Sequence, residues 1–344
     1  MTPNYNRIGM IGAGEISNYH LAGLQAARAE VVAISSRALD NARARAQQYG
    51  IPSYTADYQA ILARDDVGAV VIVTPDFTHQ DITIAALEAG KPVLLQKPMA
   101  RNSEECRAII AAAEKTGTSL YVSYMHRYFE EVIHVKNLLE QNAFGKIFSV
   151  RQRNATPGAD WAAWFFHKEN IGGGAMMQLG VHGIDLLRHL FGEIEAVKAT
   201  VALMKTERTL ADGTVVQPDN EDLIFATYRF ASGMIATHET LYNEVAGTDR
   251  FRMEIYGEEG TAWLRTERGD LALYAPKHLE EAGWVTPQLS YPAFGLRQHD
   301  HFLRMLRGDD PPDNTAHDGL MAVQVVEAVY RSAETGTWEE VAQS

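Results

Sequence analysis

The chain is poor in reactive sulfur, in long apolar runs and in positive charge, and each shortage excludes something. One of its 344 residues is cysteine, Cys106, so no internal disulfide can form and a reducing compartment, the cytoplasm, is expected. No apolar stretch nears the ~18 residues a membrane-spanning helix needs. The polar start "MTPNYNR" has no signal-peptide character. Basic residues number 31 against 44 acidic ones, a formal net charge of −13 with no Lys/Arg cluster. Neither nucleic acid nor a membrane surface is therefore an expected partner. A nucleotide cofactor stays open, because backbone N–H groups at a helix start hold phosphate without a basic side chain. Internal repeats and low-complexity tracts are absent too. What is present is an ordinary globular composition, 46% hydrophobic and 22% charged, long enough for two domains with real cores.

The first ~120 residues alternate strand-like and helix-like runs, the pattern of βαβ units and a parallel sheet. "RIGMIG", "EVVAIS", "GAVVIVTP" and "KPVLLQKP" read as buried strands, and "SLYVSYMHRY" as a further one. "EISNYHLAGLQAA", "ALDNARARAQQYG" and "THQDITIAALEAG" carry helical spacing between them, with Gly50 a natural helix stop. After "LLEQNAFGK" the rhythm changes. "IFSVRQRNAT", "EAVKATVALM", "DLIFATYRF", "GMIATHETLYN", "DRFRMEIYG" and "GTAWLRTERG" alternate apolar and polar residues, with turns at "ASG" and "GEEG". That predicts an antiparallel sheet with one wet face. Ahead of most of it lies "GGGAMMQLGVHGIDLLRHLFG", a helix entered through glycines, and helical runs return in "QHDHFLRMLRG" and "HDGLMAVQVVEAVYRSAETG". The expected fold class is α/β: a Rossmann domain over residues 1–124, then an α+β domain with a large open, mainly antiparallel sheet over 125–344. The last helices are free to return to the first domain.

"IGMIGAGEISNYH" places Gly12, Gly14 and Ser17 close to the G-x-G-x-x-G/A fingerprint, between a strand and a helix. Gly12, Ala13, Gly14, Glu15 and Ile16 are the expected phosphate-binding stretch. About 20 residues on, where a ribose-binding acid is usual, the second strand ends in Ser35, Ser36 and Arg37. Two hydroxyls and a guanidinium suit a 2′-phosphate, which points to NADP, with NAD the alternative if Arg37 is simply solvated.

Two longer stretches are more specific. "GKPVLLQKPMA" (Gly90–Ala100) and "GGGAMMQLGVHGIDLL" (Gly172–Leu187) resemble the paired signatures A-G-K-x-V-x-x-E-K-P and G-G-G-x-x-x-D-x-G-x-H-x-x-D. Those belong to the glucose–fructose oxidoreductase / inositol dehydrogenase / rhizopine catabolism (Gfo/Idh/MocA) family, and "TPDFTH" at Thr74–His79 also fits. The resemblance implies a nicotinamide held between the domains, facing the glycine-started helix, and an open sheet that forms a subunit interface. It sets Thr74, Pro75, His79, Gln96 and Lys97 along the cofactor. Lys97 matches the lysine of E-K-P, and His182 the histidine of D-x-G-x-H. By the same match the activity is hydride transfer between nicotinamide and a secondary alcohol or carbonyl carbon of a sugar, inositol or related cyclic polyol.

The implied roles have a chemical reason. Oxidising a carbinol removes a hydride and a hydroxyl proton together, and an imidazole can take that proton near neutral pH. An ammonium at Lys97 would stabilise the developing alkoxide. Two positions depart from the family: Gln96 stands for its Glu and Gln178 for its Asp. An amide binds a hydroxyl but carries no proton, so Gln178 becomes a candidate substrate ligand.

The remaining candidates are open at this point. Arg127 suits a substrate contact or an interdomain salt bridge, Trp161 and Trp164 a sugar-stacking wall or core packing, and His79 the nicotinamide flank or a helix start. Asp185 fits a capping or orienting role. His299 and His301, two apart on a helix, point in different directions, so no metal site is expected. A homodimer or homotetramer is expected through the sheet, on apolar positions such as Ile224, Ala226, Tyr228, Met253 and Ile255. Competing functions are a cofactor-recycling glycosidase of the same family and a non-catalytic cofactor-sensing regulator.

Overall fold

The computed structural model describes residues 4–245, 251–266, 271–279, 283–289 and 295–342. The chain divides into two compact units, Met1–Met125 with Pro292–Leu320, and His126–Tyr291 with Met321–Ser344. The first opens as β1 (Arg7–Ile11), α1 (Ile16–Ala26), β2 (Glu30–Ser35), α2 (Leu39–Tyr49), β3 (Tyr54–Thr55) and α3 (Gln59–Leu62). It continues as β4 (Ala69–Ile72), α4 (His79–Glu88), β5 (Val93–Gln96), α5 (Ser103–Thr116) and β6 (Leu120–Ser123). All six strands are parallel, in the order β3-β2-β1-β4-β5-β6. Every residue of β4 is 0% exposed, which is why "AVVI" has no polar alternation: helices cover both faces. Gly50 ends α2 at φ 68°. The sixth strand is shorter than its apolar run, since Met125–Tyr128 winds into a 3₁₀ turn.

The second unit begins with α6 (Glu130–Glu140), β7 (Ile147–Ala155), α7 (Lys168–Ile171) and α8 (Val181–Phe191). It continues with β8 (Ile194–Ala202), a small hairpin of β9 (Arg208–Thr209) and β10 (Val215–Val216), then β11 (Leu223–Phe230) and β12 (Ile235–Leu241). Three more strands follow, β13 (Phe251–Gly257), β14 (Thr261–Thr266) and β15 (Ala272–Tyr274). The predicted strand ends at 249–250 and 267–269 lie outside the described residues. The chain then returns to the first unit with α9 (Arg297–Arg307), and α10 (Ala316–Thr335) leads back to the edge strand β16 (Glu339–Glu340). The sheet order is β15-β14-β13-β7-β12-β11-β8-β16. It is antiparallel except where β7 runs parallel to β12, because the chain passes through α7 and α8 before re-entering the sheet.

Burial corrects one expectation. Ile224, Tyr228, Met253 and Ile255 are 0% exposed and Ala226 is 4% exposed, so the alternation aims them at the core and not at a partner. The opposite face carries Phe225 at 52%, Trp263 at 39% and Tyr274 at 40% exposure. Ion pairs such as Arg151–Glu254 lie among them. In the first unit the core gathers Ile8, Met10, Leu24, Ile34 and Val71 around Phe302 and Leu303 of α9. Among the described residues no helix is long and apolar enough to cross a membrane.

Candidate active site

In the first unit three loops meet at the carboxyl ends of β1, β2 and β4, where the strand order reverses and ligands of such sheets bind. Gly12 has φ +113°, and a Cβ there would lie 2.7 Å from the Val73 carbonyl oxygen. Only glycine fits. Its N–H donates to the Ser35 carbonyl at 2.9 Å, and the Val73 N–H donates to Ile11 at 2.8 Å, tying the loops together. Around the Cβ position of Gly14 there is no atom within 4 Å. Ser17, in the third slot, closes the turn by donating its hydroxyl to the Gly14 carbonyl at 2.6 Å. Helix α1 starts at Ile16 without a side-chain cap; the Ser17 and Asn18 N–H groups close on the Gly14 and Glu15 carbonyls, and the glycine turn ahead of them fits a dinucleotide pyrophosphate. Glu15 turns outward to Arg45, 3.5 Å away. Ser35 is buried, Ser36 half-buried and Arg37 exposed, with the Arg37 guanidinium 6.0 Å from the centre of the Phe77 ring.

Half-buried Lys97 follows β5 directly and precedes a cis peptide to Pro98. His79 is fully buried, its Nδ1 3.0 Å from the Pro98 carbonyl and its Nε2 2.9 Å from the Thr74 carbonyl. Both ring nitrogens are thus occupied by backbone, and His79 braces the Thr74–Pro75 loop against the segment that carries Lys97.

In the second unit the glycine run has a steric cause. A Cβ on Gly173 would sit 2.0 Å from the Tyr330 hydroxyl, and one on Gly174 would sit 2.1 Å from the Glu221 carbonyl oxygen. The Glu221 carboxylate accepts from the N–H groups of Gly174 (2.9 Å) and Met176 (3.1 Å) and from Tyr330 Oη (2.7 Å). It caps the helical run from outside it. Burial pushes the Glu221 carboxyl upward, and those hydrogen bonds hold it back. The run starts as a π-turn, Met176–Gly180, before it becomes α8, a rare geometry that gathers at functional sites. The π-turn carries buried Gln178, and the first turn of α8 carries His182, 4% exposed.

The ring of His182 lies flat on that of His126, with centroids 4.1 Å apart and planes 11° apart. Phe129 stacks on His126 at 4.8 Å, and Phe251 meets it edge-on at 5.5 Å. Asp185 is fully buried and takes both Nε, at 2.9 Å, and an amino group of Arg127. Arg127 therefore makes its salt bridge inside this unit, holding α8 to the 3₁₀ turn that bears His126. On the sheet side Gly183 lets His238 approach; a Cβ there would lie 2.7 Å from its Nε2. His238 bonds Tyr228 Oη at 3.0 Å and Asn154 Oδ1 at 2.9 Å, and burial pushes its pKa down to about 3. Trp161 is 58% exposed and Trp164 half-buried; both rings lean on Phe165. His299 turns to His20 while His301 faces Asp310, so the two diverge. His126, Glu221 and Tyr330 escaped the sequence reading. Only the adjacency of His126 to Arg127 offered a signal.

Two sequence profiles match these units: "Oxidoreductase family, NAD-binding Rossmann fold" over residues 6–124 and "GFO/IDH/MocA C-terminal domain" over residues 132–263. The chain belongs to the Gfo/Idh/MocA family. This is a family of NAD-binding dehydrogenases and reductases acting on CH–OH groups. The chain is 29% identical to levoglucosan dehydrogenase of Pseudarthrobacter phenanthrenivorans, over 87% of this chain and 86% of that one. It is 27% identical to D-glucoside 3-dehydrogenase of Escherichia coli over 99% of both, and 26% identical to inositol 2-dehydrogenase of Rhizobium meliloti over 95% and 96%. The fold superimposes on levoglucosan dehydrogenase in complex with NADH with a TM-score of 0.90 and 25% identity, covering 98% of this chain and 99% of that one. Against the Gfo/Idh/MocA signatures, the amides at 96 and 178 remain the two departures.

Proposed function

We propose that this protein is an NAD(P)-dependent dehydrogenase of a sugar, inositol or related cyclic polyol, working on one secondary carbinol. The observation that carries the reading is the glycine-fitted cradle at the strand-order reversal, with Lys97 leaving the neighbouring strand end. Nicotinamide, when bound, takes the hydride in oxidation or supplies it in reduction. His182 accepts the hydroxyl proton, and Lys97 donates a hydrogen bond to the oxygen as its charge develops. Exposed Trp161, with Trp164 behind it, suits the apolar face of a sugar ring, and Gln178 suits a ring hydroxyl. Cys106, buried and in no disulfide, is compatible with a reducing cytoplasm. Assaying a panel of sugars and inositols with NAD and with NADP tests the reading. Release of an aglycone without net NAD(P)H change, or cofactor binding without any turnover, would replace it.

For the cofactor we favour NADP, because Ser35, Ser36 and Arg37 offer a 2′-phosphate two hydroxyls and a guanidinium and no repelling carboxylate. Arg37→Ala should weaken NADP(H) by ~1.5–3 kcal/mol and leave NAD(H) nearly unchanged. Fluorescence titration with both cofactors reads this, and equal losses for the two would return the assignment to NAD.

We also place a symmetric homodimer or homotetramer on the outward face of the eight-stranded sheet, around Phe225, Trp263 and Tyr274. Light scattering at micromolar concentration should give a multiple of the chain mass, reduced by Phe225→Glu. A monomeric wild type refutes it.

A further inference from the structure

The first unit holds a buried chain of hydrogen-bonding groups that the proposed reaction does not use, and it ends on one of the two family departures. His20 of α1 and His299 of α9 are both fully buried, with His20 Nδ1 2.9 Å from His299 Nε2. His299 Nδ1 lies 3.2 Å from the Leu296 carbonyl oxygen, and His20 Nε2 lies 3.2 Å from the side-chain amide oxygen, Oε1, of Gln96 at the end of β5. The contact is built in: a Cβ on Gly23 would sit 2.0 Å from His299 Nδ1, so glycine at that turn of α1 admits the ring. Tyr19 packs against both imidazoles at 5.0 and 5.2 Å and anchors its hydroxyl on the Gly295 carbonyl.

Counting protons settles the direction of the chain. The carbonyl of Leu296 can only accept, so His299 donates to it from Nδ1. Its Nε2 is then a lone pair, which takes the N–H of His20 Nδ1. His20 Nε2 is left as an acceptor, and the group at 96 must donate. The reverse order would set the His299 Nδ1 and Leu296 lone pairs against each other at 3.2 Å. A third ring proton would satisfy every contact only by burying a cation. Desolvation opposes that, holding His20 well below the usual imidazole range and His299 at about 4. The other titratable groups beside the pair are Tyr19 on α1, Asp300 and Arg297 along α9, and Lys97 next to Gln96.

We propose that His20 and His299 are positioning residues that demand a hydrogen-bond donor at position 96. They fix the Gln96 amide with its nitrogen on His20 and its oxygen presented as an acceptor at the strand end that carries Lys97. The oxygen and nitrogen of an amide have nearly the same shape, so the proton count turns the group over and sets its nitrogen, in place of Oε1, against His20. The family's glutamate cannot donate while ionised, so with it one more proton must be taken up, by the pair or by the carboxyl itself. The departure at 96 and the histidine pair are therefore one device. Its bearing on catalysis rests on the role proposed for Lys97; the donor demand does not.

Nitrogen-15 histidine NMR on the full chain tests this without any substrate. In the wild type both His20 and His299 should be Nδ1–H tautomers that titrate below a free imidazole. A His20 Nε2–H tautomer would overturn the proposal even if no variant folded. In Gln96→Glu the pair should gain a proton and titrate about 2 pH units or more higher than in the wild type. In Gln96→Glu with His299→Leu, His20 should instead turn neutral as the Nε2–H tautomer. An unshifted pair in Gln96→Glu, with the introduced carboxyl ionised by its carbon-13 shift, would also overturn it. Where turnover is measurable, Gln96→Glu should add a limb to the kcat–pH profile that His299→Leu removes.

Discussion

His182→Ala should lower kcat by ~10²–10⁴ and leave cofactor affinity nearly unchanged. The pH–rate profile should lose its limb near the histidine range. His182 owes its place to the chain around it: Glu221 caps the run from outside, the π-turn sets its entry, and the Arg127–Asp185 pair pins α8. The imidazole is therefore held before any ligand arrives, the condition under which a general base is effective. Lys97→Ala should cost a similar factor through loss of alkoxide stabilisation. If the two serve one oxygen as proposed, the double variant should lose less than the product of the two, because they then work as a unit. If His182→Ala keeps more than about half of kcat, where at least a ~10²-fold loss is expected, the base lies elsewhere. His126, stacked on His182 at 4.1 Å, would be next. His79 would not, since backbone carbonyls occupy both its nitrogens.

Acid should begin to destabilise this protein before its carboxylates protonate in bulk. Burial holds His20 well below the usual imidazole value, His299 at about 4 and His238 at about 3. In the unfolded chain each returns to about 6.5, so the unfolded state binds more protons and stability rises with pH across this window. The contribution is complete above about pH 6.5 and is lost as pH falls toward the folded values. At ~1.4 kcal/mol per unit, His299 and His238 each forfeit about 3–5 kcal/mol by then, a large share of a typical 5–15 kcal/mol stability. Glu131 and Glu221, pushed upward by burial, offset part of this with the opposite sign. Urea midpoints measured from pH 7.5 to 4.5 should fall steeply below about pH 6.5, and more gently in His238→Gln. A flat curve between pH 6.5 and 5 would show that these rings are not held neutral.

Much of this architecture could be read from the chain because the informative contacts are local. Continuous apolar runs mark strands covered on both faces, alternation marks the second sheet, and Gly50 stops a helix by its own backbone angle. The cradle was legible for the same reason: Gly12 and Gly14 flank one turn. Illegible were features made by residues far apart. Glu221 and Tyr330 explain Gly173 and Gly174, yet neither resembles a motif partner in sequence. The π-turn needs one extra residue in a helix whose spacing otherwise reads as ordinary. The parallel β7–β12 pair depends on a crossover, which alternation does not encode. Alternation also separates two faces without saying which one the core takes, and Ile224 and Tyr228 went to the core.

The closing of the first unit by α9 has a consequence for how the protein is made. A ribosome releases β1 to β6 long before Phe302 and Leu303 exist, so the nascent sheet waits with Ile8, Met10 and Leu24 uncovered. Burying each large apolar side chain is worth ~1.5–3 kcal/mol, and Gln298 must still arrive to donate to Ser123. All of the second sheet but its edge strand β16 is synthesised during that wait. Folding of the N-terminal half is thereby coupled to completion of nearly the entire polypeptide, and a fragment ending at residue 124 leaves the exit tunnel without the helix that closes its core.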